Sequence, residues 1–226
     1  GMLSNIEIIN IIEFCLKKYL HDIPVILDPV MYAKGGHALL EKDAVEYLIK
    51  KLIPRSYLIT PNIPEANVIL GSNISNSAHM KKKISDFRKF GVNNILLKGG
   101  HLKSKSNILT DVLLTEDEKY VFKSEYIKTK NTHGTGCSLA SAVTANLSMD
   151  NDLYKSVKFA RNYVNAAIKN SFAVGSSQHE RISKLLNRGL LEVEPVLIPV
   201  ATFGSERAER VGASEAGGRG GNGSRG

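Results

Sequence analysis

Cysteine is scarce in this chain, and long apolar runs are missing. Only Cys15 and Cys137 occur in 226 residues, far apart and in unlike settings. That excludes a disulfide framework and fits a reducing, cytoplasmic setting. No Cys/His spacing supports zinc, so His101 and His133 read as structural or hydrogen-bonding groups. No apolar run approaches the ~20 residues of a membrane-spanning helix, and no secretory signal precedes the first predicted helix. The formal charge is +8, yet no basic stripe interleaves with aromatics. Lys17, Lys18, Lys50 and Lys51 fall on the polar sides of helices. A solvated face accounts for them, with anionic substrates as the second account, and nucleic acid is not expected.

The hydrophobic share, 42%, suffices for one α/β domain with a real core. From about Gln178 the composition changes, ending in the Gly-rich run Gly217 to Gly226. That end cannot bury enough apolar surface to fold. The expected division is a domain over 1–177 and a tail over 178–226 of separate origin, disordered at its end. A basic tail that touches RNA is the alternative.

Ser4 to Glu7 spells a capping box, followed by an apolar helix face of Ile8, Ile11, Ile12, Cys15, Leu16 and Tyr19. Short apolar strands are predicted at Pro24 to Leu27, Tyr57 to Thr60 and Ile95 to Leu97. Between them, helices are marked by Ala44 to Leu52, by a segment ending at Leu70 before Gly71, and by Ile84, Phe87 and Phe90 before Gly91. Asp111 to Thr115 and Tyr120 to Ile127 form a hairpin around Glu116-Asp117-Glu118. Helices over about Gly136 to Leu147 and Asp152 to Phe172 complete the body. Alternating strands and helices imply a mostly parallel sheet covered on both faces. In such folds ligands collect at the carboxyl ends of strands.

The polar signals stand at those ends: Asp28, then Asn62 and Glu65, then Lys98. Each has two readings. Asp28 is a turn residue before Pro29, or it joins a magnesium-water site. Asn62 and Glu65 cap a helix, or they serve Mg²⁺, which keeps several waters and accepts one or two carboxylates plus phosphates. Lys98 is a snorkelling lysine at a sheet edge, or a point charge on phosphates, with Gly99-Gly100 permitting close approach. The stretch Asn131-Thr132-His133-Gly134-Thr135-Gly136-Cys137-Ser138 sets two glycines where a loop becomes a helix. Backbone N–H groups and the helix N-terminus there bind an anion, and a cysteine thiolate is favoured. The plainer account is a Gly-rich helix opening with Cys137 as a small packed residue. Three strand ends and the glycine loop converging on one place is hard to obtain from packing alone.

Gly1 to Asn5, Asp28-Pro29-Val30-Met31, Thr60 to Ala66, Leu97 to His101 and Asn131 to Ser138 together resemble the bacterial hydroxymethylpyrimidine/phosphomethylpyrimidine kinases of the ribokinase-like superfamily. The resemblance covers about residues 1–175. It implies a three-layer α/β sandwich that uses ATP and Mg²⁺ to phosphorylate a small molecule. That substrate is 4-amino-5-hydroxymethyl-2-methylpyrimidine and then its monophosphate, in thiamine biosynthesis. By the same resemblance Cys137 is the catalytic base, and Gly134 to Cys137, including Thr135 and Gly136, the anion hole. Lys98 binds phosphate, Thr129 and Asn131 lie beside the nucleotide, and Asp28, Asn62 and Glu65 form the metal and phosphate set. A homodimer is implied for the complete enzyme.

Relatives begin well upstream of Gly1, and Ser176 onward departs from their usual ending. The expectation is therefore a fragment lacking its N-terminal strands and much of the acceptor half, weakly active or inactive, with an exposed sheet edge prone to association. Pyridoxal kinase of the same superfamily and a non-catalytic ligand-binding remnant are the alternatives.

Overall fold

The computed structural model describes residues 2–33, 36–102, 107–129 and 132–171; Asn131 and the expected tail over 178–226 lie outside them. Among the described residues five strands form one sheet in chain order: β1 (Ile26–Leu27), β2 (Leu58–Ile59), β3 (Asn94–Leu97), β4 (Ile108–Leu114) and β5 (Lys119–Glu125). β1, β2 and β3 run parallel, Ile26 opposite Leu58 and Leu58 opposite Asn94. The predicted hairpin adds β4 and β5 antiparallel at one side. The helices are α1 (Ile6–Tyr19), α2 (Lys42–Lys51), α3 (Ile63–Leu70), α4 (Ser77–Lys83), α5 (Thr135–Leu147) and α6 (Leu153–Lys169).

Successive strand residues face opposite sides of a sheet, and here both sides are buried. Ile59, Ile95, Leu97 and Val112 pack with Ile9 of α1, Ala44 and Leu48 of α2, and Phe87. Leu58, Leu96, Leu113 and Phe122 pack with Leu139 and Val143 of α5 and Leu153 and Val157 of α6. The continuous apolar character of β2 and β3 has this cause: both their faces are covered, while Ile26 and Leu27 of β1 are half-buried. Among the described residues no helix is long and apolar enough to cross a membrane, and both cysteines are free.

Two local expectations are corrected. The cap of α1 is Asn5, not Ser4; its side chain accepts from Ile8 N–H at 3.1 Å. The buried face of α1 centres on Ile9, with Ile12 and Leu16 partly covered, whereas Ile11 and Tyr19 are 62% exposed. Isoleucines occupy so much of this helix's circumference that apolar periodicity does not single out one stripe. The segment before Gly91 also differs: α4 is followed by a 3-10 turn over Ile84–Phe90, not by a single α-helix.

Phe87 is fully buried between the sheet and its covering helices. Phe87→Ala is expected to lower unfolding free energy by about 3–5 kcal/mol through lost burial and the cavity left behind. Urea unfolding checks this, and a loss below about 1 kcal/mol would show that the core closes over the gap.

Candidate active site

Because β1, β2 and β3 are parallel, the residues following them emerge at one edge of the sheet. Asp28 follows β1, Thr60 to Asn62 follow β2, and Lys98 follows β3. Lys98 N–H donates to Pro61 O at 2.9 Å, and Asn62 and Lys98 form a parallel bridge. The Lys98 ammonium then reaches across β2 to donate to Asp28 Oδ1 at 2.9 Å. Thr60 Oγ1 donates to the same oxygen at 2.8 Å. Both partners of the ion pair are largely shielded, with 15% and 13% of their side chains exposed. Lys98 is thus no snorkelling lysine, since its ammonium is held in a shielded ion pair. Asp28 Oδ2 is buried and has no hydrogen-bond partner among the described residues.

The start of α5 arrives at the same point. Gly134 is its cap residue, at φ 77°, a left-handed conformation that costs glycine little. A glycine cap brings no side-chain acceptor, so the first N–H groups of α5 lack the usual capping partner. Gly136 sits against the ion pair: a Cβ on it would stand 3.4 Å from Lys98 Nζ and 3.6 Å from Asp28 Oδ2. Thr135 donates its hydroxyl to Thr132 O at 2.9 Å, tightening the turn. Cys137 is exposed, which removes the packed-residue account of it.

Asn62 and Glu65 complete a reciprocal capping box on α3. Asn62 Oδ1 accepts from Glu65 N–H at 2.9 Å, and Glu65 Oε2 accepts from Asn62 N–H at 2.8 Å. Glu65 is nonetheless only 2% exposed. Burial pushes its carboxyl from the ordinary 4.5 up to about 7, against the opposing pull of Lys98 and the N–H groups of Asn62 and Met31; Asp28 adds a smaller upward push. Burial, with the Lys98 charge second, holds the His101 imidazole below its ordinary value.

Two reversals of direction, at β4 and β5, bring the end of β5 back to this edge. There Ser124, Glu125 and Ile127 face Asn162, Asn165, Ala166 and Lys169 of α6 across a cleft of about 270 Å³. Thr129 lies two residues past Ile127, half-buried. The sheet therefore gathers Asp28, Asn62, Glu65, Lys98, Gly134, Thr135, Gly136 and Cys137. Sequence reasoning passed over three groups: Thr60, whose hydroxyl orients Asp28, and the pair Asp111 and Arg161. Asp111 carried a visible signal, being an acid two residues before Leu113 on the same inward-facing side of a strand.

Among the described residues no three His, Cys, Asp or Glu side chains cluster to cage a metal ion. The donor set fits Mg²⁺ better than a caged metal, because Mg²⁺ retains waters and asks for one or two carboxylates. The unpartnered Asp28 Oδ2 is such a donor.

The family model described as phosphomethylpyrimidine kinase matches residues 1–182. The chain belongs to the phosphomethylpyrimidine kinase family. It is 39% identical over 176 residues to the hydroxymethylpyrimidine/phosphomethylpyrimidine kinase of Bacillus subtilis, an alignment that covers 78% of this chain and 64% of that relative. The chain thus spans slightly less than two thirds of that kinase's length. The crystal structure of phosphomethylpyrimidine kinase from Clostridium difficile superposes with a TM-score of 0.64 at 39% identity, covering 74% of this chain and 67% of that one. An ADP complex of Bacillus subtilis pyridoxal kinase superposes with a TM-score of 0.69 at 31% identity, covering 77% and 65%. The expected ribokinase-like α/β architecture of the phosphomethylpyrimidine kinases is therefore the fold of this chain.

The Glu65 carboxyl takes up a proton more readily in the folded chain than in the unfolded one. Its contribution to stability is thus fully present below about pH 4.5 and lost as pH rises through about 7. Glu65→Gln keeps an oxygen for Asn62 but cannot ionise. The stability of wild type relative to this variant is expected to fall by roughly 3 kcal/mol between about pH 4 and about pH 8. Urea unfolding across that range measures it, and a pH-independent difference would remove Glu65 as the buried titrating group.

Proposed function

We propose that this chain carries the nucleotide and phosphoryl-transfer half of an ATP-dependent hydroxymethylpyrimidine/phosphomethylpyrimidine kinase. The observation that carries the reading is the meeting of the Lys98–Asp28 ion pair with the uncapped N-terminus of α5 at Gly136. Phosphoryl transfer is catalysed chiefly by positioning and charge neutralisation. Lys98 and the N–H groups of Gly134 to Cys137, with Thr135 among them, supply fixed positive charge for the transferred group. Asp28, backed by Asn62 and Glu65, would hold Mg²⁺ with its waters. When bound, that ion would supply positive charge to offset that of the phosphates. The cleft between β5 and α6 suits the base of the nucleotide, its two asparagine amides offering both donors and acceptors. Thr129 and Asn131 stand next in the chain.

Cys137 is exposed at the head of α5, where an acceptor hydroxyl can approach it. In the proposed step the hydroxyl oxygen forms a bond to the γ-phosphorus, the bond to the bridging oxygen breaks, and ADP leaves. The hydroxyl proton passes to the Cys137 sulfur. The same proposal takes residues 1–177 as the kinase unit and two copies as the assembly of the complete enzyme. The solvent-facing Ile11, Phe14 and Tyr19 of α1 support association.

The TM-score of 0.69 against pyridoxal kinase favours a second reading in which pyridoxal is the acceptor. Incubation of the chain, completed with the upstream segment its relatives carry, with MgATP and either acceptor, with phosphorylated product resolved by chromatography, separates the two. Product from the pyrimidine alcohol at higher kcat/KM is expected. Preference for pyridoxal would overturn the pyrimidine assignment, and ATP binding without transfer to either would make the chain a ligand-binding module. In the complete enzyme, Cys137→Ala is expected to cut kcat by about 100-fold or more, the scale of a positioned base. Near-normal turnover would take Cys137 out of the chemistry.

A further inference from the structure

Asp111 of β4 lies outside the strand-end cluster yet grips the loop that carries Lys98. Its Oδ1 accepts from Gly99 N–H at 2.8 Å. Its Oδ2 is held 2.8 Å from Nε of Arg161, on α6. The Arg161 side chain is 9% exposed and that of Asp111 16%. The guanidinium also donates to Ser124 Oγ at 3.4 Å and lies 4.9 Å from the Phe122 ring centroid. A shielded ion pair of this kind is a poor stabiliser, since apolar residues of similar volume often serve as well or better. Its two ends are informative: one is anchored in α6, and the other meets a backbone N–H directly after Lys98. Gly99 is fitted for that approach, because a Cβ on it would stand 1.9 Å from Thr110 O. The absent side chain lets the loop close on β4, and the carboxylate holds it there.

We propose that Asp111, oriented by Arg161, is a positioning residue that fixes the backbone root of Lys98 for phosphate binding. This rests on the reading of Lys98 as a phosphate ligand. A carboxylate acceptor makes the Gly99 hydrogen bond stronger than a neutral one would. A lysine ammonium on a flexible stem is placed only as well as its root, and misplacement by about 1 Å can cost about 100-fold in rate.

Uniformly ¹⁵N-labelled full chain gives the direct test, through amide hydrogen exchange at Gly99 compared with Leu96 and Leu113. In Asp111→Ala, Gly99 exchange is expected to quicken about tenfold relative to those two amides. In the enzyme completed with the upstream segment, the KM for ATP is expected to rise about tenfold while that for the acceptor stays within twofold. Arg161→Met should show the same split, Arg161→Lys should recover most of it, and the double variant should be no worse than Asp111→Ala alone. Should Asp111→Ala fail to fold, Asp111→Asn, which keeps an oxygen for Gly99 but loses the ion pair, and Arg161→Lys carry the comparison. An unchanged ratio of Gly99 to Leu96 exchange would overturn the proposal, as would faster Gly99 exchange with unaltered ATP kinetics. If wild type and Lys98→Met bind MgATP equally, the phosphate role of Lys98 fails and the positioning role falls with it. Gly99 exchange then still tells whether Asp111 grips the loop, so the two failures are distinct.

Discussion

The Lys98–Asp28 ion pair organises this molecule, and it exists because three strands run the same way. Asp28 and Lys98 are 70 residues apart in the chain. β1 and β3 run the same way and so end at one edge, and because β2 between them also runs that way its end arrives there too. The lysine spans that strand, and Thr60, at the end of the strand it spans, adds its hydroxyl to the same carboxylate oxygen. One carboxylate oxygen is thereby engaged by two donors while the other stays buried and unpartnered among the described residues. An acceptor so left costs free energy, and a cation drawn to that point relieves it.

The capping box of Asn62 and Glu65 uses the same side chains as their proposed metal and phosphate role. The capping box orders the first turn of α3, and in doing so it carries a carboxyl into a nearly dry position beside Lys98 and Asp28. Burial and the Asp28 charge push that carboxyl toward neutrality, while Lys98 and two N–H groups pull it back. The result is a group whose protonation responds to local charge near neutral pH. An exposed capping glutamate would stay ionised and insensitive.

Much of this was legible in the residues because the decisive signals are local. Apolar runs too short for helices and ended by Asp28-Pro29, Pro61-Asn62 or Lys98-Gly99 announced buried parallel strands with polar ends. The glycines at the start of α5 announced an open helix N-terminus, Gly134 as its cap and Gly136 in its first turn. Where reasoning fell short, the information was not local. In α1 the isoleucines ring the helix, and only the surrounding structure decides that Ile9 turns inward and Ile11 outward. The link from Arg161 through Asp111 to Gly99 joins three separate elements. The inward register of Asp111 was visible, but its partners were not. Thr60 reads as a strand residue until its neighbour strand places Asp28 beside it.

The order in which these groups leave the ribosome adds a temporal consequence. Asp28, Asn62 and Lys98 emerge in turn, but α5 comes after all of them and Arg161 follows Asp111 by 50 residues. Contacts so distant in sequence close late, since loop-closure entropy is met before they form. The nascent chain can build its parallel strands and their first covering helices while the Lys98 loop still lacks its anchor in α6. The anchoring of the Lys98 loop is thus the last property of this sheet edge to mature.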